Sequence, residues 1–211
     1  GCFVPDRPCE VFASAAPDAS PYGDGKLYLA PIFTSGPGFV YNANLVGDGK
    51  EYAYPTTWDD FFALQEQVEA DGRYLFTWPQ PGYLDATFPV MVANAGGEEL
   101  LARVLGHEAG IYEDRDVVKV METLGQLAQV TMPETAGNAT RDGGFLDNQH
   151  AVMQDKALFM PNGDWVVGEM ADYEAAEGFE WGLGPVPTFD ADAKPYVVSW
   201  FESVYTFKDS P

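Results

Sequence analysis

Apolar residues in this chain fall into short runs separated by Gly-, Pro- and Asp-rich breaks, and their spacing alternates between two periods. Lys26-Leu27-Tyr28-Leu29-Ala30-Pro31-Ile32-Phe33 reads as a strand, Thr34-Ser35-Gly36-Pro37-Gly38 interrupts it, and Phe39-Val40-Tyr41-Asn42 resumes an extended run. These two runs fit either a hairpin or one path crossing between two lobes. Thr56-Thr57-Trp58-Asp59-Asp60-Phe61 is a helix start, with Thr57 able to cap the first turn and acids where the helix dipole favours them. Trp58, Phe61, Phe62, Leu64, Gln65 and Val68 form one face, Trp58 reads as core, and Gly72 ends the helix. Tyr74 to Trp78 reads as a short buried strand ending in the turn Pro79-Gln80-Pro81-Gly82-Tyr83, which carries exposed aromatics.

The dense apolar run from Leu84 to Ala95 predicts a buried helix stopped by Gly96-Gly97, followed by a short helix over 98–105. Val117, Val120, Met121, Leu124, Leu127 and Ala128 recur at helical spacing over 116–130, with Asp114 or Asp116 as cap. Residues 131–144 read as loop. Phe145 to Lys156 reads as a helix, with His150 at the surface or packed. It feeds the apolar run Ala157–Met160, which should stop at a Pro161-Asn162-Gly163 turn. A helix is predicted over 163–176, an extended segment over 179–185 and a strand over 197–207. Strands alternating with helices in this order imply an α/β fold with a mixed sheet.

The stretch from Phe159 to Trp165 carries the candidate chemistry. Trp165 should sit where a strand ends and a helix begins, the place where open α/β sheets bind ligands. A flat aromatic beside Asn162 and Asp164 suits a sugar ring, whose apolar face stacks while its hydroxyls take hydrogen bonds. The same position also suits a core tryptophan that fixes the turn. Trp78 and Tyr83 repeat the motif of a strand ending in an aromatic-bearing loop.

Composition narrows the field. With 211 residues, 46% hydrophobic and 14% aromatic, the chain can bury a substantial core. Its net charge of −22, from 33 acidic and 11 basic residues, argues against nucleic acid and against anionic membrane surfaces. No signal peptide is visible and no apolar run is long enough for a membrane span. Cys2 and Cys9 could close a small disulfide loop or stay free thiols. No metal site and no cofactor are expected. P-loop, GxGxxG, GxSxG and HExxH motifs are missing from the sequence. A hydrolytic carboxylate pair could be drawn from Asp164, Glu169 and Glu202, although among 33 acids some fall near any pocket by chance. Asn138-Ala139-Thr140 matches a glycosylation sequon.

Four stretches, in order over residues 25 to 190, resemble the extracellular solute-binding proteins of bacterial ABC sugar importers, the maltose-binding-protein group. Gly25 to Pro31 followed by Gly38-Phe39-Val40-Tyr41-Asn42 is similar to that family's strand crossing between lobes. Tyr54-Pro55-Thr56-Thr57-Trp58-Asp59-Asp60-Phe61 is similar to its "P-x-TWDE" helix start. Ala157 to Trp165 is similar to its "A-x-F-x-x-NG-x-W" segment, and Phe179 to Pro187 to its "G-x-APLP" return strand. Together with Glu169-Met170 and Pro81-Gly82-Tyr83-Leu84, these lean towards members that bind N-acetylglucosamine or chitobiose.

The resemblance implies a periplasmic-binding-protein type II-like lobe, a mixed sheet flanked by helices, and no catalysis. It implies a carbohydrate ligand, ABC permease subunits as membrane partners, a monomeric state and an extracellular, cell-surface-anchored or periplasmic location. Gly1-Cys2 is also similar to the lipid-modified end of bacterial lipoproteins, though no lipobox precedes it. By this likeness residues 1–25 are a poorly ordered lead-in, 26–38 a hinge-crossing strand region, 39–187 the ligand-binding lobe and 188–211 a return strand. The stop at Pro211 then reads as a truncation, and most of a first lobe is missing. Trp165 becomes the stacking platform, with Tyr83 meeting the sugar from the other side. Trp200 and Glu202 lie just after the returning hinge, where the family often places ligand contacts, and Thr34 and Ser35, near the first crossing, are further ligand-binding candidates.

Overall fold

A computed structural model describes residues 30–204 of the chain. They fall into two compact units. One holds 30–36 and 199–204, and the other holds Pro37–Val198. Cys2, Cys9, the lead-in over 1–25, the first part of the Lys26 strand and the end of the strand expected to reach Phe207 lie outside the described residues.

The first unit is a two-stranded antiparallel ribbon of β1 (Ala30–Ser35) and β6 (Trp200–Val204). The second contains a four-stranded sheet in the order β3-β4-β2-β5, made of β2 (Gly38–Asn42), β3 (Tyr74–Phe76), β4 (Ala157–Asn162) and β5 (Trp181–Gly184). β3 runs parallel to β4, whereas β2 is antiparallel to both β4 and β5. The sheet is mixed, as the sequence order implies. Of the two expected arrangements for the first runs, the hairpin is excluded, because β1 pairs with β6 and β2 pairs with β4 and β5.

The helices of the second unit are α1 (Trp58–Ala63), α2 (Gln65–Ala70), α3 (Leu84–Leu105), α4 (Arg115–Gln129), α5 (Thr135–Ala139), α6 (Gly144–Met153) and α7 (Val166–Glu169). Thr57 caps α1 as expected: its hydroxyl accepts the Asp60 N–H while the Asp60 carboxylate accepts the Thr57 N–H, a reciprocal capping box. Asp114 caps α4 by accepting the Asp116 N–H. Phe39, Trp58, Phe61, Phe76 and Phe159 meet at the centre of the core with ring centroids 5.4–6.4 Å apart. Trp58 is therefore a core residue.

Several expectations need correction. The helix read from Thr57 to Gly72 is divided at Leu64 into α1 and α2. The two helices expected on either side of Gly96-Gly97 run on as α3 with a kink at Gly97, whose φ of 75° and ψ of −172° are open to glycine and costly for other residues. Residues 131–144 are not all loop, since α5 forms there, its Thr135 hydroxyl hydrogen-bonded to that of Thr77 and its backbone carbonyl to Asn148. The helix read over 163–176 shrinks to the single turn of α7, because Gly168 weakens it and no side chain caps its start. Met121 on α4 points outward despite its helical spacing with Val117 and Val120.

The Pro161-Asn162-Gly163 turn begins later than its residue types suggest. Pro161 and Asn162 are strand residues, paired with Phe39 and Gly38 of β2. Pro161 is tolerated because it lies near the end of β4, beyond Phe159, the last residue paired with β3. The break comes at Gly163.

Candidate functional site

Trp165 stands where β4 has ended and α7 begins, as the sequence predicts. Its position is set by the backbone beneath it. A β-carbon at Gly163 would collide with the six-membered ring of the Trp165 indole, so only glycine lets the ring lie there. The neighbouring Asn162 is buried, and its Oδ1 accepts the Gly163 N–H at 2.8 Å, which fixes the turn under the indole.

Tyr83 comes to the same place from the other side of the sheet's end. Its backbone forms a 3₁₀ turn over Pro81–Tyr83 that leads into α3, and the Thr87 hydroxyl donates to the Tyr83 carbonyl at 3.0 Å. The Tyr83 and Trp165 rings lie 6.4 Å apart at 38°, and the Trp165 Nε1–H donates to the Tyr83 hydroxyl over a long 3.4 Å. Both side chains are half-buried. Burial pushes the Tyr83 hydroxyl pKa up and the Glu169 charge adds to this, while hydrogen bonds from Trp165, Gln149 and Asn162 oppose it. The arrangement is a partly open aromatic pair with buried amides beside it. It can stack on the apolar face of a ring and offer hydrogen bonds at the ring's edge.

Beneath this pair lies a support that sequence reasoning missed. Gln149 on α6 is wholly buried, and its Nε2 donates to Glu169 Oε2 on α7 at 2.8 Å. The preceding Asn148, also wholly buried, donates from Nδ2 to the carbonyls of Pro79 at 3.2 Å and Thr135 at 3.1 Å. Its Oδ1 accepts from Asn138 Nδ2 at 2.9 Å, so the sequon asparagine is engaged in the fold. The available signal was a pair of adjacent amides, Asn148-Gln149, inside an otherwise apolar helical stretch.

The remaining predicted residues divide. Asp164 is solvent-exposed beside the indole. Trp78 turns inward to pack edge-on against Phe76, with centroids 5.1 Å apart, and its other side borders a largely apolar cavity of about 460 Å³ shared with Pro81, Leu84 and Met132. A second, polar cavity of about 640 Å³ is bordered by Arg141, Asp147, His150 and Glu174. Tyr83 and Trp165 line neither. His150 is packed, with its ring nitrogen 2.7 Å from the Glu174 carbonyl and its ring 5.6 Å from that of Tyr173. Thr34, Ser35, Trp200 and Glu202 come together in the ribbon of the first unit, where Ser35 pairs with Trp200 and Phe33 with Glu202. The Thr34 hydroxyl donates to the Trp200 carbonyl at 3.4 Å.

The comparisons with known proteins agree on one architecture. A diacetylchitobiose-binding protein of Streptomyces coelicolor, NgcE, is 28% identical over 148 residues, which are 67% of this chain and 30% of that protein. A chitin oligosaccharide binding protein superposes with a TM-score of 0.67 at 19% identity, covering 86% of this chain and 45% of the other. A sugar transporter of Bacillus licheniformis in complex with stachyose superposes with a TM-score of 0.66 at 19% identity, over 92% of this chain and 52% of the other. The chain thus spans about half the length of these structures and less of the curated relative, and the structural likeness confirms the expected α/β fold. Residues 10–211 match the sequence pattern of one family along nearly the whole chain, and the chain belongs to that family, the bacterial extracellular solute-binding proteins.

Proposed function

We propose that this chain supplies the second, sugar-binding lobe of a receptor that hands carbohydrate to an ABC importer in the membrane. The observation that carries this reading is the Tyr83–Trp165 pair at the carboxyl end of β4, with the Asn162 and Gln149 amides beside it. The ligand is held by stacking on Trp165, with Tyr83 opposite and Asn162 and Asp164 at its polar edge. By the family likeness, Thr34, Ser35, Trp200 and Glu202 of the ribbon are ligand-binding candidates in their own unit, whereas Trp78 packs against Phe76. No covalent chemistry takes part. The rival reading, a hydrolase with a carboxylate pair, draws no support from the family match. Asp164 is exposed, and Glu169 is engaged by Gln149.

Family membership supports a location outside the cytoplasmic membrane; on this reading the receptor is cell-surface-anchored or periplasmic and monomeric, with the permease as its partner. The ligand class is an N-acetylglucosamine-type sugar or its dimer. The motif likeness points there, and so does the binding activity named for the Streptomyces relative.

Calorimetric titration of the natural full-length protein with N-acetylglucosamine, diacetylchitobiose, maltose and xylobiose tests this. Saturable one-to-one binding without product formation is expected, abolished by Trp165→Ala with the fold retained. Absence of binding to all four sugars, or turnover of any of them, overturns the reading, as does normal binding by Trp165→Ala.

A further inference from the structure

The two rings of the aromatic pair stand too close together, and in the wrong relation, to hold a sugar between them. An indole N–H points outward in the plane of its ring, so the Tyr83 hydroxyl that accepts it lies off the edge of Trp165 and not over its face. A sugar ring between two aromatic faces needs carbon contacts of about 3.5–4.0 Å on each side, hence roughly 7–8 Å between the faces. The ring centroids are 6.4 Å apart and the planes are tilted by 38°. One face of the indole lies against the backbone at Gly163, where not even a β-carbon fits. For Tyr83 to stand opposite a stacked sugar, one of the two rings must move.

Their supports decide which. Trp165 is fixed by the close approach of Gly163, by the Asn162 Oδ1 bond to the Gly163 N–H at 2.8 Å, and by the buried Val166 that follows it. The Tyr83 backbone is also held, since its N–H donates to the Gln80 carbonyl at 3.2 Å and its carbonyl accepts the Thr87 hydroxyl at 3.0 Å. Its side chain is only half-buried, and its bond to Trp165, at 3.4 Å, is long and therefore weak. Beside it, Gly82 has no neighbour within 4 Å of where a β-carbon would stand, so the turn leaves open space on that flank. Rotation of the Tyr83 side chain on a fixed backbone is the cheap movement.

We infer that Tyr83 is a displaceable lid: in the empty site it rests against the N–H edge of Trp165, and a carbohydrate ring settling on the indole face away from Gly163 breaks that contact as the Tyr83 ring swings across to cover the sugar. This rests on the carbohydrate reading above and supplies the motion that reading requires. The resting contact lowers the apparent affinity by the fraction of molecules whose lid is open.

Nuclear magnetic resonance of the isotope-labelled natural full-length protein reads the contact directly at the Trp165 indole N–H, identified as the signal lost in Trp165→Phe. Tyr83→Phe keeps the ring and removes the acceptor, with melting as the fold control. In the free proteins the indole signal should differ between wild type and Tyr83→Phe. In proteins saturated with diacetylchitobiose, or with whichever of N-acetylglucosamine, maltose and xylobiose binds, the two signals should coincide, because the hydroxyl no longer accepts the indole proton. A direct effect of the sugar on the indole is common to both proteins and cancels. Sugar association, followed by stopped-flow fluorescence, should be faster for Tyr83→Phe by up to about tenfold, the worth of one weak hydrogen bond. A difference that persists at saturation means that the sugar stacks while Tyr83 stays at the indole edge. That result, identical signals in the free proteins, or unaltered association overturns the inference and leaves the carbohydrate reading standing. Absence of binding to every sugar overturns both.

Discussion

The indole of Trp165 lies over the α-carbon of Gly163 so closely that no β-carbon fits between them. The contact couples a backbone requirement to the orientation of the stacking surface. Gly163→Ala should therefore act on the site through the ring. The added methyl must push the indole off its place, at a stability cost of about 1–3 kcal/mol, typical of overpacking. Carbohydrate affinity should fall together with it. Melting and calorimetry check the two effects separately. In the Trp165→Ala background the Gly163→Ala change should cost no further affinity. A further loss there would mean that Gly163 acts on the ligand by some other route.

Asn148 makes a second prediction possible. One buried amide holds the Pro79 carbonyl in the loop before Tyr83, the Thr135 carbonyl of α5 and the side chain of Asn138. Asn148→Leu removes all three bonds and leaves their partners short of hydrogen bonds in a buried place. A destabilisation of about 3 kcal/mol is expected, read as a lower denaturant midpoint at unchanged slope. Because the loop that presents Tyr83 loses its anchor, ligand affinity should drop as well. A variant that loses stability but binds normally would show that Tyr83 is held by its contacts with Thr87 and Trp165 alone.

What the sequence disclosed follows the range of the interactions involved. The Thr57–Asp60 capping box lies within three residues, and both partners are legible side by side. Trp165 was legible because an apolar run, a glycine and a tryptophan mark a strand's end locally. Its partnership with Tyr83 spans 82 residues and depends on how β3 and β4 align, which no local pattern encodes. The same holds for Gln149 and Glu169, which meet only because α6 and α7 flank the same strand. The misplaced Pro161 turn has the same origin: its residue types favour a turn, but β2 offers partners that keep the backbone extended for two more positions. Trp78 shows the converse. Its position after a strand matched that of a ligand contact, and the Phe76 ring drew one edge of it into the core.

The capping box also carries a pH dependence whose sign can be worked out. Hydrogen bonding from the Thr57 side chain first, with the backbone amides and the Thr56 hydroxyl adding to it, holds the Asp60 carboxyl below its ordinary value against a smaller opposing effect of burial. In the unfolded chain Asp60 titrates near the usual aspartate value of about 3.9. A folded pKa below the unfolded one means that the carboxylate stabilises the native state at every pH above the unfolded value. That contribution fades as pH falls through the unfolded and then the folded pKa, where the native state must take up a proton it disfavours. Asp60→Asn should therefore lower the melting temperature at neutral pH and lose its effect under acid conditions, where wild type and variant converge. With 33 acidic residues the whole protein will shift over the same range, so the quantity to follow is the difference between the two proteins at each pH. A gap that stays constant down to the lowest pH at which both fold would mean that the charge on Asp60 contributes nothing, and that the cap depends on the Thr57 hydroxyl alone.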